Sequence, residues 1–454
     1  MIKNDCNKII CAINEINPNT NLRDPNGCSK SSYVEELGYE DTPKVVTKDL
    51  WNNLLKTNKL LLDSLINRPL FGFVSYKEIK NILPNEKYFY IINYFNVNFF
   101  ISNNTVGFAC VDPVVLNDVK NNKCKIIISC PTEGLTGVRF NKMDLEIVQR
   151  WIDRAELPSN NIYFISGNLN INLLKTDNIK FNVIGLSVFE QWLVGKGDIM
   201  PAFKKFANII PFEPSNTKNL YLNFTRVPRD HRILLLSNLI KFGVFELGEN
   251  SFNLLHANKP GFSNAKQVIQ HLSHDNDLSL LAAADILDQK NHQFVDIDTT
   301  AVETSVNTIN VNFYKKTFIS LITETLTNRE TLLITEKSFK PIVVGHPFII
   351  LGSPGTLEKL KSFGYKTFDR WLDENYDNDL ELNDRIKIII KNIQLLSKLS
   401  IEELKTIRKE MEEICIHNHR VFWKRIWQNY YIETDFCDCK PMVSILDEIL
   451  KNWN

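Results

Sequence analysis

Two short apolar runs, KIIIS (125–129) and IYFIS (162–166), bracket a Pro/Gly loop and one amphipathic helical segment. No other feature restricts the fold as much. Each run is unbroken and rich in Ile, the pattern of a strand buried on both faces. The loop is CPTEGLTG (130–137). In the segment after it, Leu145, Val148, Ile152 and Ala155 recur at steps of 3, 4 and 3 residues, so they share one helical face, and Pro158 stops the pattern. Strand, loop, helix and strand in that order make a βαβ unit. Parallel strands need such a crossover, so the spacing predicts a parallel sheet covered by helices. IINYFNVNFF (91–100) and NVIGLS (182–187) are predicted as further strands.

The same alternation restarts after PFEPSNTKN (211–219), where two prolines and a polar run interrupt it. LYLNF (220–224), LLIT (332–335) and PFIILG (347–352) read as strands. Leu234, Leu235, Leu239 and Ile240 form a helical face, and a short helix is predicted around Lys337–Val344. Three helical patterns follow from Asn383. A chain of 454 residues exceeds one ordinary core. The expected fold is therefore α/β, with two Rossmann-like domains facing across a cleft and a C-terminal helical tail. The expected boundaries are 1–45 for a polar arm or cap, 46–212 and 213–382 for the two α/β domains, and 383–454 for the tail.

Composition narrows the function classes. Lys plus Arg and Asp plus Glu are both 53, so the formal net charge is zero, against the basic excess usual in a general nucleic-acid binder. Nine cysteines, an odd number scattered along the chain, do not read as a secreted disulfide framework and are expected as reduced thiols in a cytoplasmic protein. The opening residues are too polar for a signal peptide, and no apolar run is long enough to predict a membrane span.

In open α/β sheets, ligands bind beyond the carboxyl ends of the strands. The loop after LYLNF reads Thr225-Arg226-Val227-Pro228-Arg229-Asp230-His231-Arg232 and opens a helix. Three arginines there suit a diphosphate, through bidentate hydrogen bonds and the helix N-terminus, and they equally fit a solvated basic turn. Thr335-Glu336-Lys337 occupies the start of the next helix. A carboxylate at that point fits both hydroxyls of a ribose, or it caps the helix; an ammonium fits a phosphate as a point charge.

Taken together, residues 321–368 (LITETLTNRETLLITEKSFKPIVVGHPFIILGSPGTLEKLKSFGYKTF) resemble the donor-binding region of glycosyltransferase-B enzymes. The layout is similar to that of the fucosyltransferase and exostosin-like families; in fucosyltransferases a Thr-Glu-Lys step contacts the nucleotide sugar and an upstream Arg the phosphates. With LNFTRVPRDHR (222–232), the chain looks more like a group of uncharacterised viral and bacterial glycosyltransferase-like proteins. About 80 residues carry this resemblance. It implies a nucleotide-sugar donor held by Arg226, Arg232, Glu324, Thr335, Glu336, Lys337 and Lys340, Arg226 being first choice for the phosphate. Ser-Phe-Lys-Pro after Lys337 departs from the more apolar fucosyltransferase pattern and leaves the nucleotide open.

An inverting enzyme of this kind needs a base for the acceptor hydroxyl. Glu133, in the loop after KIIIS, is the candidate, and its other reading is a turn contact; His231 is a weaker one. Asp296-Ile-Asp298 is an Asp-x-Asp step of a type that holds Mg or Mn in another glycosyltransferase fold. Asp377-Asn-Asp379 repeats the pattern, which is common by chance. The resemblance needs no cofactor or metal beyond the donor, because arginine, lysine and a helix dipole stabilise the leaving group. His417 and His419 are expected to pack within a helix. The acceptor is open among a glycan, a protein and a modified base of viral DNA, the last placing the protein in a host cytoplasm. A non-catalytic scaffold with the same fold is the competing class.

Overall fold

The computed structural model describes residues 8–13, 70–75, 87–93, 111, 113–130, 142–194, 206, 208–213, 219–225, 227–254, 264–272, 277–290, 292–293, 309–429 and 440–453. The chain divides into two compact units, one comprising Met1–Val188 with Asn429–Asn454, the other Phe189–Gln428.

The first unit carries a six-stranded sheet in the order β2-β1-β3-β4-β5-β6. The strands are β1 (Lys8–Ile13), β2 (Leu70–Ser75), β3 (Tyr88–Asn93), β4 (Cys124–Cys130), β5 (Ile162–Ser166) and β6 (Asn182–Gly185), and every pairing is parallel. KIIIS and IYFIS become β4 and β5, with Ile126 opposite Ile162. Between them runs α2 (Lys142–Arg154), and α1 (Pro113–Lys120) precedes β4. Leu145, Val148 and Ile152 on α2 are buried against Ile126, Ile128, Phe164 and Phe181. Each such side chain contributes roughly 1.5–3 kcal/mol on full burial. The strand predicted at 91–100 lies earlier, at β3, and residues 94–100 are outside the described residues.

The last helix, α12 (Lys440–Lys451), belongs to this unit and packs by β1. Trp453, just beyond it, is 6% exposed and tilts onto Phe89 at 5.2 Å between ring centroids. Its indole N–H donates to Asn122, its carbonyl accepts from Lys87 at 2.8 Å, and the Lys125 ammonium lies 4.9 Å from its ring centroid.

The second unit has a five-stranded sheet, β11-β10-β7-β8-β9. Its strands are β7 (Tyr221–Thr225), β8 (Gly248–Asn253), β9 (His292–Gln293), β10 (Ile319–Thr323) and β11 (Phe348–Leu351), parallel except for the edge pair β8–β9. Helices α3 (Phe189–Val194), α4 (Asp230–Lys241), α5 (Ala265–Leu272), α6 (Leu278–Lys290), α7 (Val311–Lys316), α8 (Glu336–Val344), α9 (Thr356–Ser362), α10 (Leu382–Ser397) and α11 (Ile401–Asn429) complete it. The helical face predicted on α4 is there, and every residue from His231 to Leu239 is buried because α5, α6 and α10 also pack on this helix.

Two expectations change. LLIT (332–335) forms no strand. Leu332, Leu333 and Ile334 are buried, but ISLIT (319–323) is the strand between β7 and β11, and both of its edges are already paired. The units divide at Val188, upstream of the Pro-rich stretch, because α3 packs on α8. Among the described residues no helix is long and apolar enough to cross a membrane.

Helix α8 contains Pro341 and still runs to Val344. It ends at Gly345, with φ 69° and ψ 42°, the left-handed conformation of a helix stop. A Cβ there would also lie 2.3 Å from the Ile209 side chain, so both the backbone and the space require glycine.

Candidate functional site

The order β11-β10-β7-β8 makes the chain leave β7 toward one edge of the sheet and β10 toward the other. Loops that part in this way open a crevice beyond the carboxyl ends of the two strands, the topological switch point of an α/β sheet. The segments singled out in the sequence flank it: 225–232 runs from the end of β7 into α4, and 335–337 opens α8 at the end of the connection from β10.

Arg226 lies outside the described residues. Arg229 stands extended just ahead of α4. Past Asp230, the side chains of His231 and Arg232 turn into the protein. His231 Nε2 is 2.9 Å from the Glu324 carbonyl oxygen, which can only accept, so this nitrogen donates. Arg232 is 3% exposed and clamps both loops. Its Nη1 donates to Val227 O at 3.0 Å, and its Nη2 to Thr323 O at 3.1 Å and Glu324 O at 3.2 Å. Burial, and then Arg229, pull its pKa down to about 10, so it stays charged at neutral pH. Its Nε is buried without a partner. Arg232 therefore spends its donors on backbone carbonyls and ties the β7 loop to the end of β10.

Glu324 is fully buried. One carboxylate oxygen accepts from Thr335 N at 2.9 Å and Ser338 Oγ at 2.6 Å. The other accepts from Thr335 Oγ1 at 2.6 Å and Thr325 N at 3.2 Å. Thr335 in turn caps α8, its hydroxyl accepting from Lys337 N at 3.4 Å. Thr225 and Thr323, at the ends of β7 and β10, place their hydroxyls 3.2 Å apart.

Glu336 and Lys337 keep side-chain exposure, 15% and 31%, and the Lys337 ammonium lies 2.7 Å from Glu336 Oε1. Burial pushes the Glu336 carboxyl up, but Lys337 and Lys340 outweigh it and hold the pKa below the ordinary carboxylate range. A charged acceptor and an ammonium thus stand together at the rim of the switch point. Lys340 is half-buried on the same helix, one turn on.

The structure thus brings Arg232, Glu324, Thr335, Glu336, Lys337 and Lys340 into one region. Glu133, Asp296 and Asp298 lie outside the described residues. Asp377 and Asp379 diverge: Asp377 is buried, capping α9 through Leu357 N at 2.8 Å, while Asp379 is exposed and pairs with Arg329. His417 and His419 lie on α11 and face the carbonyls of Gly364 and Phe206 at 2.9 and 2.8 Å. Among the described residues no group of His, Cys, Asp and Glu is arranged to hold a metal ion. Ser338 was not singled out in the sequence. Its signal was its place in the first turn of α8, three residues after the capping threonine.

A cavity of about 780 Å³ opens beyond β11, lined in part by Arg329, Glu358, Lys361, Glu374, Asp377 and Asp379. Much of its charge is internally matched, Arg329 to Asp379 and Lys361 to Glu374.

No protein-family model matches the chain, and no curated protein matches it in sequence. Among solved structures it is similar to a glycosyltransferase from Rickettsia africae ESF-5, with 13% identity and a TM-score of 0.34 over 98% of this chain and 99% of that one. It is also similar to an α,α-trehalose-phosphate synthase (UDP-forming) from Burkholderia vietnamiensis, with 9% identity and a TM-score of 0.30 over 98% and 100%. A third likeness is to an α,α-trehalose 6-phosphate synthase from Burkholderia multivorans, at 9% identity and a TM-score of 0.31 over 98% of each chain.

Proposed function

We propose that the protein transfers a sugar from a nucleotide-sugar donor to an acceptor hydroxyl, and that its second unit holds the donor. One observation carries this reading. Glu336 and Lys337, the two residues of the donor-type Thr-Glu-Lys step that keep side-chain exposure, stand at the switch point between β7 and β10. Glu336, held ionised, accepts from the ribose hydroxyls. Lys337 and Lys340 face the diphosphate, with Arg226 joining them from the β7 loop. Arg232 acts behind them by fixing that loop.

In the reaction the acceptor oxygen attacks the anomeric carbon and the bond to the diphosphate oxygen breaks. The nucleoside diphosphate leaves with the bonding pair, and the acceptor proton passes to a base. Lysine and arginine charges neutralise the departing phosphate without a metal. Glu133 is the base in this reading.

The test is a thermal-shift series with uridine, guanosine and adenosine diphosphates and their sugars, with and without Mg, on wild type, Glu336→Ala and Glu133→Ala. A ligand that binds only the folded state raises the melting temperature by mass action. The expected result is a shift with one nucleotide, indifferent to Mg, lost in Glu336→Ala and kept in Glu133→Ala, whose turnover is abolished. No shift with any nucleotide would overturn the donor site. Full activity in Glu133→Ala would remove the base assignment alone.

A further inference from the structure

Glu324 has no exposed surface, and both its oxygens are taken by protein donors, so it cannot itself touch a donor molecule. Its backbone carbonyl holds His231 and Arg232 in the first turn of α4, directly after the β7 loop, while its carboxylate holds Thr335 and Ser338 at the start of α8. One residue thus ties together the two loops that flank the switch point. It also puts a negative charge beside the end of α8 that would otherwise attract an anion. Two donors of that first turn are taken up in the same chain of contacts: Lys337 N reaches Thr335 Oγ1 and Ser338 N reaches Thr335 O at 3.1 Å, while Thr335 itself is held by Glu324.

We propose that Glu324 is a positioning residue with two effects: it fixes the Thr335–Ser338 turn that presents Glu336 and Lys337, and it closes the N-terminus of α8 to phosphate. A diphosphate at this site is then met by the side-chain cations, and the helix end serves the uncharged sugar side of the ligand through Glu336. The inference rests on the donor-site reading.

The test uses inorganic pyrophosphate, which reports on the anion site independently of any nucleotide, and amide hydrogen exchange, which needs no ligand at all. Glu324→Gln keeps the size of the side chain, removes its charge and replaces one acceptor oxygen by a donor. Exchange at the amides of 335–339 should speed up by about tenfold, the loss of roughly one net hydrogen bond. Pyrophosphate should bind about two- to fivefold tighter, the range of one charge at a helix terminus. Ser338→Ala removes one hydroxyl and leaves the charge. It should speed exchange without tightening pyrophosphate, and it carries the exchange test if Glu324→Gln does not fold. Exchange unchanged in Ser338→Ala, or pyrophosphate bound no tighter by folded Glu324→Gln, overturns the proposal. Failure of wild type to bind any nucleotide sugar would instead sink the donor reading and leave the positioning result standing.

Discussion

Tyr365 donates a 2.6 Å hydrogen bond to Glu190, a carboxylate 175 positions earlier, and Arg425 closes on the same carboxylate with contacts of 2.7 and 2.9 Å. Glu190 is 1% exposed, and the Arg425 guanidinium also covers the Phe363 ring at 4.4 Å. The trio fastens α3 to α11 and to the chain that follows α9. Removing one member of a buried pair strands the others, which costs about 3–5 kcal/mol. Glu190→Ala should lower the urea midpoint accordingly, and Glu190→Ala with Arg425→Ala together should cost less than the sum of the singles. A loss below about 1 kcal/mol, the size of an exposed pair, would show that water already screens the trio.

Two buried groups give opposite pH dependences. His346 accepts from Ser320 through Nδ1 and donates from Nε2 to Thr317 O; burial and Arg408 lower its pKa from 6.5 to about 3. The Tyr314 ring meets the imidazole in a T-shaped contact, 5.3 Å between centroids. The unfolded chain takes up this proton first, so stability is lost as pH falls from 6.5 toward 3, by about 1.4 kcal/mol per unit. His346→Gln keeps a donor and an acceptor, and acid unfolding curves should lose that slope.

Asp377 runs the other way. Burial raises its pKa from 3.8 to about 7, against the Leu357 and Glu358 amides and Arg385, with Glu374 adding to the rise. Its Oδ1 is buried without a partner. The folded protein holds this proton longer, so stability falls as pH rises from 3.8 to 7. Asp377→Asn should be close to neutral at pH 4 and should stabilise at pH 8, by at most about 4 kcal/mol. Equal melting shifts at both pH values would contradict the raised pKa.

Gly345→Ala should destabilise by about 2–4 kcal/mol, part from the left-handed backbone and part from the Ile209 contact. In an Ile209→Ala background the second part should vanish. A cost of equal size in both backgrounds would place all of it in the backbone.

Trp453→Ala should cost about 3–5 kcal/mol, as large aromatic truncations do. Amide exchange should rise first in β3, β4 and β5, whose Phe89, Lys125 and Tyr163 lie near the indole or share its lysine. Unchanged protection there would mean that α12 holds on without its last aromatic residue.

Where periodicity is strong and contacts are local, the sequence was sufficient: α2 between β4 and β5 follows from three- and four-residue steps and two apolar runs. LLIT and ISLIT are nearly equal by composition. Only pairing with β7 and β11 decides which one is the strand, and that is a non-local fact. The Thr335–Lys337 step could be read although the strand expected before it is absent, because a capping threonine followed by an acidic residue in the first turn is a helix-start signature of its own. The role of Glu324 could not, since its partners include His231 and Arg232, 93 and 92 positions away. The place of α3 was hidden for the same reason, Glu190 meeting its arginine 235 positions on.

The return of α12 and Trp453 to the first unit sets an order of events during synthesis. Strands β1 to β6 leave the ribosome before any of Phe189–Gln428, yet the indole that covers Phe89 emerges only after that whole segment. At about 5–20 residues per second the first sheet waits for tens of seconds with an aromatic face uncovered. The nascent chain thus has a built-in interval in which a chaperone, or a neighbouring chain, finds apolar surface that the finished protein hides.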